Sequence, residues 1–397
     1  MSYEAFFAET PESVGIDSNQ LAIVFERARK EVEAGLLPSS QIVVARDGKI
    51  AGMQTVGTVK HGGQDAPATD STLYCVFSCT KAITSAAAWM LIEEGKLDLR
   101  ERVSDIIPEF ASNGKDAVLV EQLFTHTAGF PNAPFRPEAF LDRAQRLEYF
   151  AKWRLEWEPG SRFVYHPSSS MYVIADILEQ RSGTTYGEFV RRRIAEPLGL
   201  EDLWCGLPRP LHGRLADLQH VGEAMTADEF AERGLPVPPI TEVTEENLER
   251  FNEAPVREVG IPGGGGTMTA ADLALFYQAL LHGGRTPDGE PLWRAETLAM
   301  AREIRSGSLR DPVFGKLANR GLGLMIAGDS EQNYRGFGHT NSEAAFGHGG
   351  AGGQIAWADP ATGISIGYCT DGFDRNAIRQ ARRGIGISSR AALCGVA

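Results

Sequence analysis

Ser78 and Lys81 stand three residues apart in Phe77-Ser78-Cys79-Thr80-Lys81, at the start of the most apolar stretch of the chain, Thr80 to about Gly95. Residues i and i+3 of a helix share one face, so a hydroxyl and an amine at this spacing meet. A buried lysine answers its desolvation with a lowered pKa, and the neutral amine can then take the proton of the hydroxyl. That makes an activated serine without a histidine. The plainer reading of the same four residues is a serine N-cap followed by a solvated lysine. A second copy, Ser112-Asn113-Gly114-Lys115, shows how readily the pattern arises. Asn-Gly places that copy in a turn, where we expect neither a rigid helix nor apolar surroundings to fix the lysine or move its pKa.

Two further pieces add chemistry. Tyr165 lies in Phe163-Val164-Tyr165-His166-Pro167-Ser168, a loop entering a helix near Ser169. Beside a cationic lysine a phenol loses its proton more easily, so Tyr165 can carry the serine proton to a leaving group; the plainer reading is an amphipathic tyrosine at a helix entrance. The run Gly347-His348-Gly349-Gly350-Ala351-Gly352-Gly353 precedes a β-prone segment, Gln354 to Ala358. Such glycine density lets a substrate approach the backbone closely. An edge strand there would offer the Ala351 N–H which, with that of Ser78, forms an oxyanion hole. His348, Gly349 and Gly350 are the candidate substrate-binding residues, with His348 either touching an acyl group or carboxylate or supporting the turn.

Ser78-x-x-Lys81, Tyr165 and His348-Gly349-Gly350, in this order and spacing, resemble the three ordered motifs of class C β-lactamases, D-Ala-D-Ala carboxypeptidases and family VIII carboxylesterases. Leu123-Phe124-Thr125-His126-Thr127-Ala128-Gly129 and Pro262-Gly263-Gly264-Gly265-Gly266 are similar to the same family, so the likeness covers nearly the whole chain. It implies a serine hydrolase working through an acyl-enzyme on Ser78, without a cofactor. Two departures bear on substrate. Pro167 stands where those β-lactamases have the asparagine of Tyr-x-Asn and cannot supply its amide hydrogen bonds. His348-Gly349-Gly350 stands where they usually have Lys-Thr-Gly. Both weaken recognition of a lactam amide and carboxylate, and the resemblance then leans toward a small-molecule carboxylic ester. The alternatives are a β-lactamase, a D-amino-acid peptidase or amidase, or an acyltransferase of the same superfamily, and beyond these a non-catalytic binding or scaffold member of the fold.

The elements that must position these groups follow from periodicity. Asp17 can cap a helix with apolar residues at Leu21, Val24, Phe25 and Ala28. Gln41–Arg46 and Ile50–Val56 read as strands joined by the hairpin signal Asp47-Gly48. Helical patterns follow at 120–125, 137–153, 169–182 and 185–196. Strand character returns at Leu322–Ile326, Gln354–Ala358 and Ile364–Thr370, before a closing helix over Asp374–Ser388. The fold class is α/β (α+β), a mainly antiparallel sheet built from the N- and C-terminal segments and flanked by helices, with a largely helical region inserted. We expect one discontinuous domain, 1–72 with 268–397, a helical domain over 73–267, and the cleft between them. Its pocket walls should come from the loop-rich segments 130–160 and 205–260.

Composition bounds the rest. With 397 residues, 43% apolar, the chain folds around a sizeable core, and a formal net charge of −13 disfavours binding to nucleic acid. The apolar run from Ala82 meets Glu93 and Glu94, too short to span a bilayer. Five widely spaced cysteines without a CxxC pair, and a start from Met1 to Gly15 lacking a basic-then-apolar leader, suggest the cytoplasm. Cys75 and Cys79 are read as small core residues. There is no His-Glu-x-x-His, and the eight histidines are dispersed, so no metal is expected. Gly363-Ile364-Ser365-Ile366-Gly367 matches the nucleophile elbow of α/β-hydrolases, but it lies in a β-prone run and no histidine follows it. Gly263 to Gly266 lacks a following Gly-Lys-Ser/Thr and reads as cleft-lining backbone. Oligomeric state is left open by the sequence.

Overall fold

Asp17 caps helix α1 (Ser18–Glu33), its carboxylate accepting from the N–H groups of Asn19 and Gln20. In this computed structural model, which describes residues 3–237, 243–285 and 289–395, the next two elements are β1 (Ser39–Arg46) and β2 (Lys49–His61). Asp47 and Gly48, at φ +53° and +72°, make the left-handed pair that a two-residue hairpin demands. The remaining strands are β3 (Gln64–Pro67), β4 (Tyr74–Cys75), β5 (Trp204–Cys205), β6 (Gln219–Val221), β7 (Gly266–Met268), β8 (Met325–Ile326), β9 (Phe346–Gly347), β10 (Ile355–Asp359), β11 (Ile364–Cys369) and β12 (Gly372–Asp374). Four more helices matter to the site: α2 (Thr80–Glu93), α3 (Ser169–Ser182), α4 (Ala270–His282) and α5 (Ala377–Ala391).

The main sheet runs β3-β2-β1-β11-β10-β9-β8, every neighbouring pair antiparallel, so segments from the two ends of the chain meet where β1 pairs with β11. Both faces are covered. Val43 and Ala45 join the core that holds α2 and α4, whereas Ile42 and Val44 face Leu21, Val24 and Ala28 of α1 and Ile387 of α5. This is why the centre of β1, Ile42 to Ala45, is apolar on both faces with no polar alternation. Ser365 lies inside β11 and is fully buried, donating to the Ala274 carbonyl of α4 at 2.8 Å and accepting from Gln278 at 2.9 Å. It is a packing serine, not an elbow.

A small sheet, β4-β7-β5, sets the nucleophile segment. Tyr74 and Cys75 of β4 pair with Met268 and Thr267 of β7, and Val76 N–H donates to the Gly266 carbonyl at 2.9 Å. The chain entering Ser78 is thereby stitched to the chain leaving the glycine run. From there α2 dives into the core, buried at every position from Thr80 to Leu91.

Three expected elements differ. The helix over 137–153 is a tight turn, Pro137–Leu141, followed by a new helix, Arg143–Lys152, because Asp142 interposes an N-cap to Ala144 and Gln145. The helix over 185–196 widens after Val190 into a π turn, Arg191–Ala195. Of Leu322–Ile326 only Met325–Ile326 is strand, since Gly323 takes φ +75° and Ser85 Oγ lies against it. Extra short strands, β5 and β6, appear in the region read as helical.

The reading of Ser112 and Lys115 is corrected. Lys115 is fully buried, its Nζ donating to the carbonyls of Ser112 and Trp153, each at 2.5 Å, and to Ser112 Oγ at 3.2 Å. It also lies 5.4 Å from the Phe110 ring centroid. Burial, with Arg154 nearby, pushes the amine down to about 8. The cover comes from the helix ending at Lys152, since Ser112 Oγ donates to the Ala151 carbonyl at 2.6 Å. Lys115→Met leaves buried carbonyls unpaired and should cost about 2 kcal/mol or more in urea unfolding.

Candidate active site

Phe77, the residue before the nucleophile candidate, holds φ +44°, a left-handed conformation that a bulky side chain rarely adopts. Its ring packs 5.1 Å from that of Phe251, and its carbonyl accepts from Thr80 Oγ1 at 2.6 Å, which fixes the turn into α2. Ser78 is half-buried on this turn and caps nothing. Its Oγ instead meets Lys81 Nζ at 3.2 Å and Tyr165 Oη at 2.9 Å, so the three residues singled out from the sequence converge on one oxygen.

Lys81 has no solvent contact. Its Nζ donates to the carbonyls of Pro167 at 2.6 Å and Gly263 at 2.7 Å, which leaves the third direction of the nitrogen toward Ser78. An amine has three such directions, so with two N–H groups committed the third holds either a proton or a lone pair facing the hydroxyl. Pro167 therefore contributes through its backbone what its side chain cannot. Gly263 explains one glycine of its run: a Cβ there would lie 2.9 Å from Pro167 O and 3.5 Å from Lys81 Nζ. Gly350 explains another, because a Cβ there would lie 2.3 Å from the Val76 carbonyl.

Tyr165 is gripped by two loops. His166 N–H donates to His126 Nδ1 at 3.1 Å, Phe130 N–H donates to His166 Nε2 at 3.2 Å, and His166 Nδ1 donates to the Val164 carbonyl at 2.7 Å. The His126 ring lies 4.7 Å from the Tyr165 ring. Burial holds His166 down at about 3 and pushes His126 well below the usual histidine range, so each stays a neutral acceptor. His126 itself sits at φ +57°. The run Leu123–Gly129 carried the resemblance, but nothing local in it foretold that its histidine orders Tyr165.

Ser78 opens into a pocket of about 140 Å³ with walls including Phe77, Phe135, Tyr172, Leu248, Phe251 and Ile261. The 130–160 and 205–260 segments supply walls as expected; residues 238–242 of the second lie outside the described residues. Ala351 lines the same pocket, but from a tight turn, Ala351–Gly353, not from an edge strand, since β10 begins later and is flanked by β9 and β11. His348, Gly349 and Gly350 line a neighbouring apolar cavity of about 690 Å³. His348 is buried, its Nδ1 2.7 Å from the Gly349 carbonyl and its ring 6.0 Å from that of Tyr165. Burial, then the charges of Arg320 and Lys81, push it well below its ordinary value, so it presents no cation. Arg320, unmarked in the sequence, places its guanidinium 5.4 Å from the Tyr165 ring centroid. Cys75 and Cys79 are capped by the carbonyls of Gly264 and His348, and burial raises both thiols, Cys75 to about 12. Among the described residues no group of His, Cys, Asp and Glu is placed to hold a metal ion, and no helix is long and apolar enough to cross a membrane.

Residues 25–387 match the family described as Beta-lactamase. The chain belongs to the beta-lactamase family. Its sequence is 27% identical over 385 residues to an Escherichia coli K12 protein named "Putative D-alanyl-D-alanine carboxypeptidase", covering 92% of this chain and 85% of that one. A penicillin-binding protein homologue from Caulobacter crescentus superposes with a TM-score of 0.79 at 29% identity, covering 95% of this chain and 99% of that one. A family VIII carboxylesterase superposes with a TM-score of 0.77 at 24% identity, with the same coverage, a likeness of fold. This beta-lactamase family member is thus a hydrolase of the serine superfamily on a β-lactamase/transpeptidase-like fold.

Gly263→Ala should displace the Pro167 or Gly263 carbonyl and slow labelling of Ser78 by a fluorophosphonate probe by about tenfold or more, with the fold retained by circular dichroism. His166 adds acid lability. Its folded value of about 3 lies below the 6.5 of an unfolded histidine, so the unfolded chain binds the extra proton between those limits and stability falls as pH drops through that window. His166→Gln keeps an acceptor for Phe130 and removes this titration. The slope of unfolding free energy against pH in that window should fall by up to about 1.4 kcal/mol per pH unit.

Proposed function

We propose that the chain hydrolyses carboxylic esters through an acyl-enzyme on Ser78, with Lys81 and Tyr165 moving the protons. The observation that carries this reading is the pair of contacts on Ser78 Oγ, from Lys81 Nζ at 3.2 Å and Tyr165 Oη at 2.9 Å, at the mouth of an apolar pocket. The Ser78 proton passes to the Lys81 and Tyr165 pair as Oγ attacks the ester carbonyl. The oxyanion accepts from the N–H groups of Ser78 and Ala351, an arrangement worth a few kcal/mol of transition-state stabilisation (about 3 per donor). Tyr165 returns the proton to the departing alkoxide. Water then attacks the acyl carbonyl, giving its proton to the same pair, and Ser78 is restored.

Ester over lactam rests on what surrounds the serine. Pro167 brings no side-chain amide to the cleft, and its carbonyl is engaged by Lys81. His348 is neutral and buried, so the third motif presents no fixed positive charge to a substrate carboxylate. The walls named above are aromatic and aliphatic, suited to an acyl chain or aryl alcohol. A second reading, a D-amino-acid carboxypeptidase, is favoured by the name of the Escherichia coli relative. Turnover of p-nitrophenyl butyrate, nitrocefin and a D-alanyl-D-alanine peptide by wild type and Ser78→Ala separates them. The ester should be the best substrate, with its rate falling about a thousandfold or more in Ser78→Ala. Preferential release of D-alanine would select the second reading, and ester hydrolysis untouched by Ser78→Ala would sink both.

A further inference from the structure

Four nitrogen-bearing side chains from separate segments surround the Tyr165 ring. Lys81 Nζ, on α2, lies 5.0 Å from its centroid, the rings of His126 and His348 lie at 4.7 and 6.0 Å, and Arg320 Cζ, in the segment before β8, lies at 5.4 Å. The two histidines are held neutral by burial and present dipoles only. Lys81 exchanges a proton with Ser78 in the proposed reaction, so its charge varies through the cycle. Arg320 is the constant charge, because a guanidinium does not deprotonate at neutral pH.

Arg320 is an odd residue to find here. It is 6% exposed, and its Nε and Nη1 meet no acceptor among the described residues. No ion pair among them includes it; Asp311 acts on it favourably and Arg335 unfavourably from farther away. Its Cζ also lies 5.3 Å from the Phe163 ring centroid, so the guanidinium rests against aromatic rings. The backbone holds it in place: Arg320 N–H donates to Ser306 Oγ at 3.0 Å and its carbonyl accepts from Arg305 N–H at 2.8 Å. An unpaired buried cation is costly unless something nearby becomes negative. A phenolate spreads its charge into its ring, so a cation near the ring attracts the phenolate more strongly than the phenol.

We propose that Arg320 is a positioning residue for the reaction, its fixed charge beside the Tyr165 ring stabilising the negative charge that Tyr165 carries while it exchanges protons with Ser78. This rests on the Ser78 and Tyr165 roles proposed above, but not on the choice of ester as substrate. Burial lowers the proton affinity of the guanidinium without discharging it at neutral pH.

The test is the rate at which a fluorophosphonate probe labels Ser78 across a range of pH, in wild type, Arg320→Lys, Arg320→Met, Tyr165→Phe and the double variant Tyr165→Phe/Arg320→Met. The probe reads Ser78 reactivity whatever the natural substrate, so an error in the ester assignment leaves this readout standing. Arg320→Met should slow labelling about tenfold or more at neutral pH and move the acidic limb of the profile up by about one unit. Arg320→Lys should recover most of the rate. In the Tyr165→Phe background the Arg320→Met change should cost less than about twofold, because the interaction it removes is already gone. An unmoved acidic limb in folded Arg320→Met, or the same loss with and without Tyr165, would overturn the proposal. Arg320→Gln, of similar length and still able to donate, is the second charge-removing variant and must behave as Arg320→Met does.

Discussion

A lysine amine with no contact to water must be given acceptors by the protein, and Lys81 receives them from three directions at once. The carbonyls come from Pro167, at the entrance to α3, and from Gly263, just before β7, while the hydroxyl comes from its own helix turn. Removing any of these leaves a buried polar group unsatisfied, at a cost of about 1–3 kcal/mol. The requirement therefore ties together three distant stretches of chain. It explains why β4 is stitched to β7, why residue 263 has no side chain, and why a proline is tolerated two residues after Tyr165.

The second Ser-x-x-Lys pair shows what this arrangement does not by itself confer. Lys115 also meets two carbonyls and the oxygen of the serine three residues before it, at the same 3.2 Å separation as in the first pair. Its serine hydroxyl is spent on the Ala151 carbonyl, however, and among the described residues no tyrosine hydroxyl is hydrogen-bonded to it. Ser78 differs by having Tyr165 as a second proton carrier and a pocket in front of it. A buried amine held beside a hydroxyl is not enough; reactivity also needs an approach for the substrate and somewhere for the proton to go.

What the sequence revealed follows the range of the interaction. Asp17, the Asp47-Gly48 hairpin, the buried helix after Ser78 and the apolar centre of β1 are written in adjacent residues, and the order of motifs marked Ser78, Lys81 and Tyr165 together. The cover over Lys115 comes from a helix some forty residues on, so its turn chemistry alone suggested an exposed site. The histidines that order Tyr165 act across 40 residues, His126 to His166, and neither belongs to a pattern with its own chemistry. Arg320 had no signal at all, since an arginine in a glycine-rich stretch is ordinarily solvated. Ala351 was found, but the strand assumed for it is a turn, because glycine at φ +78° in position 352 delays the start of β10.

The proposed chemistry rests on Ser78 Oγ being the atom that takes the acyl group, with Lys81 and Tyr165, both in contact with it, as the pair that takes its proton. Acid-quenching the wild-type enzyme and Lys81→Met during turnover of p-nitrophenyl butyrate, followed by peptide mass mapping, tests this directly. The account predicts a butyryl adduct on the peptide carrying Ser78 in the wild type, none on the peptide carrying Ser112, and loss of the adduct in Lys81→Met. An adduct on any other residue, or undiminished acylation of Ser78 in Lys81→Met, would contradict it.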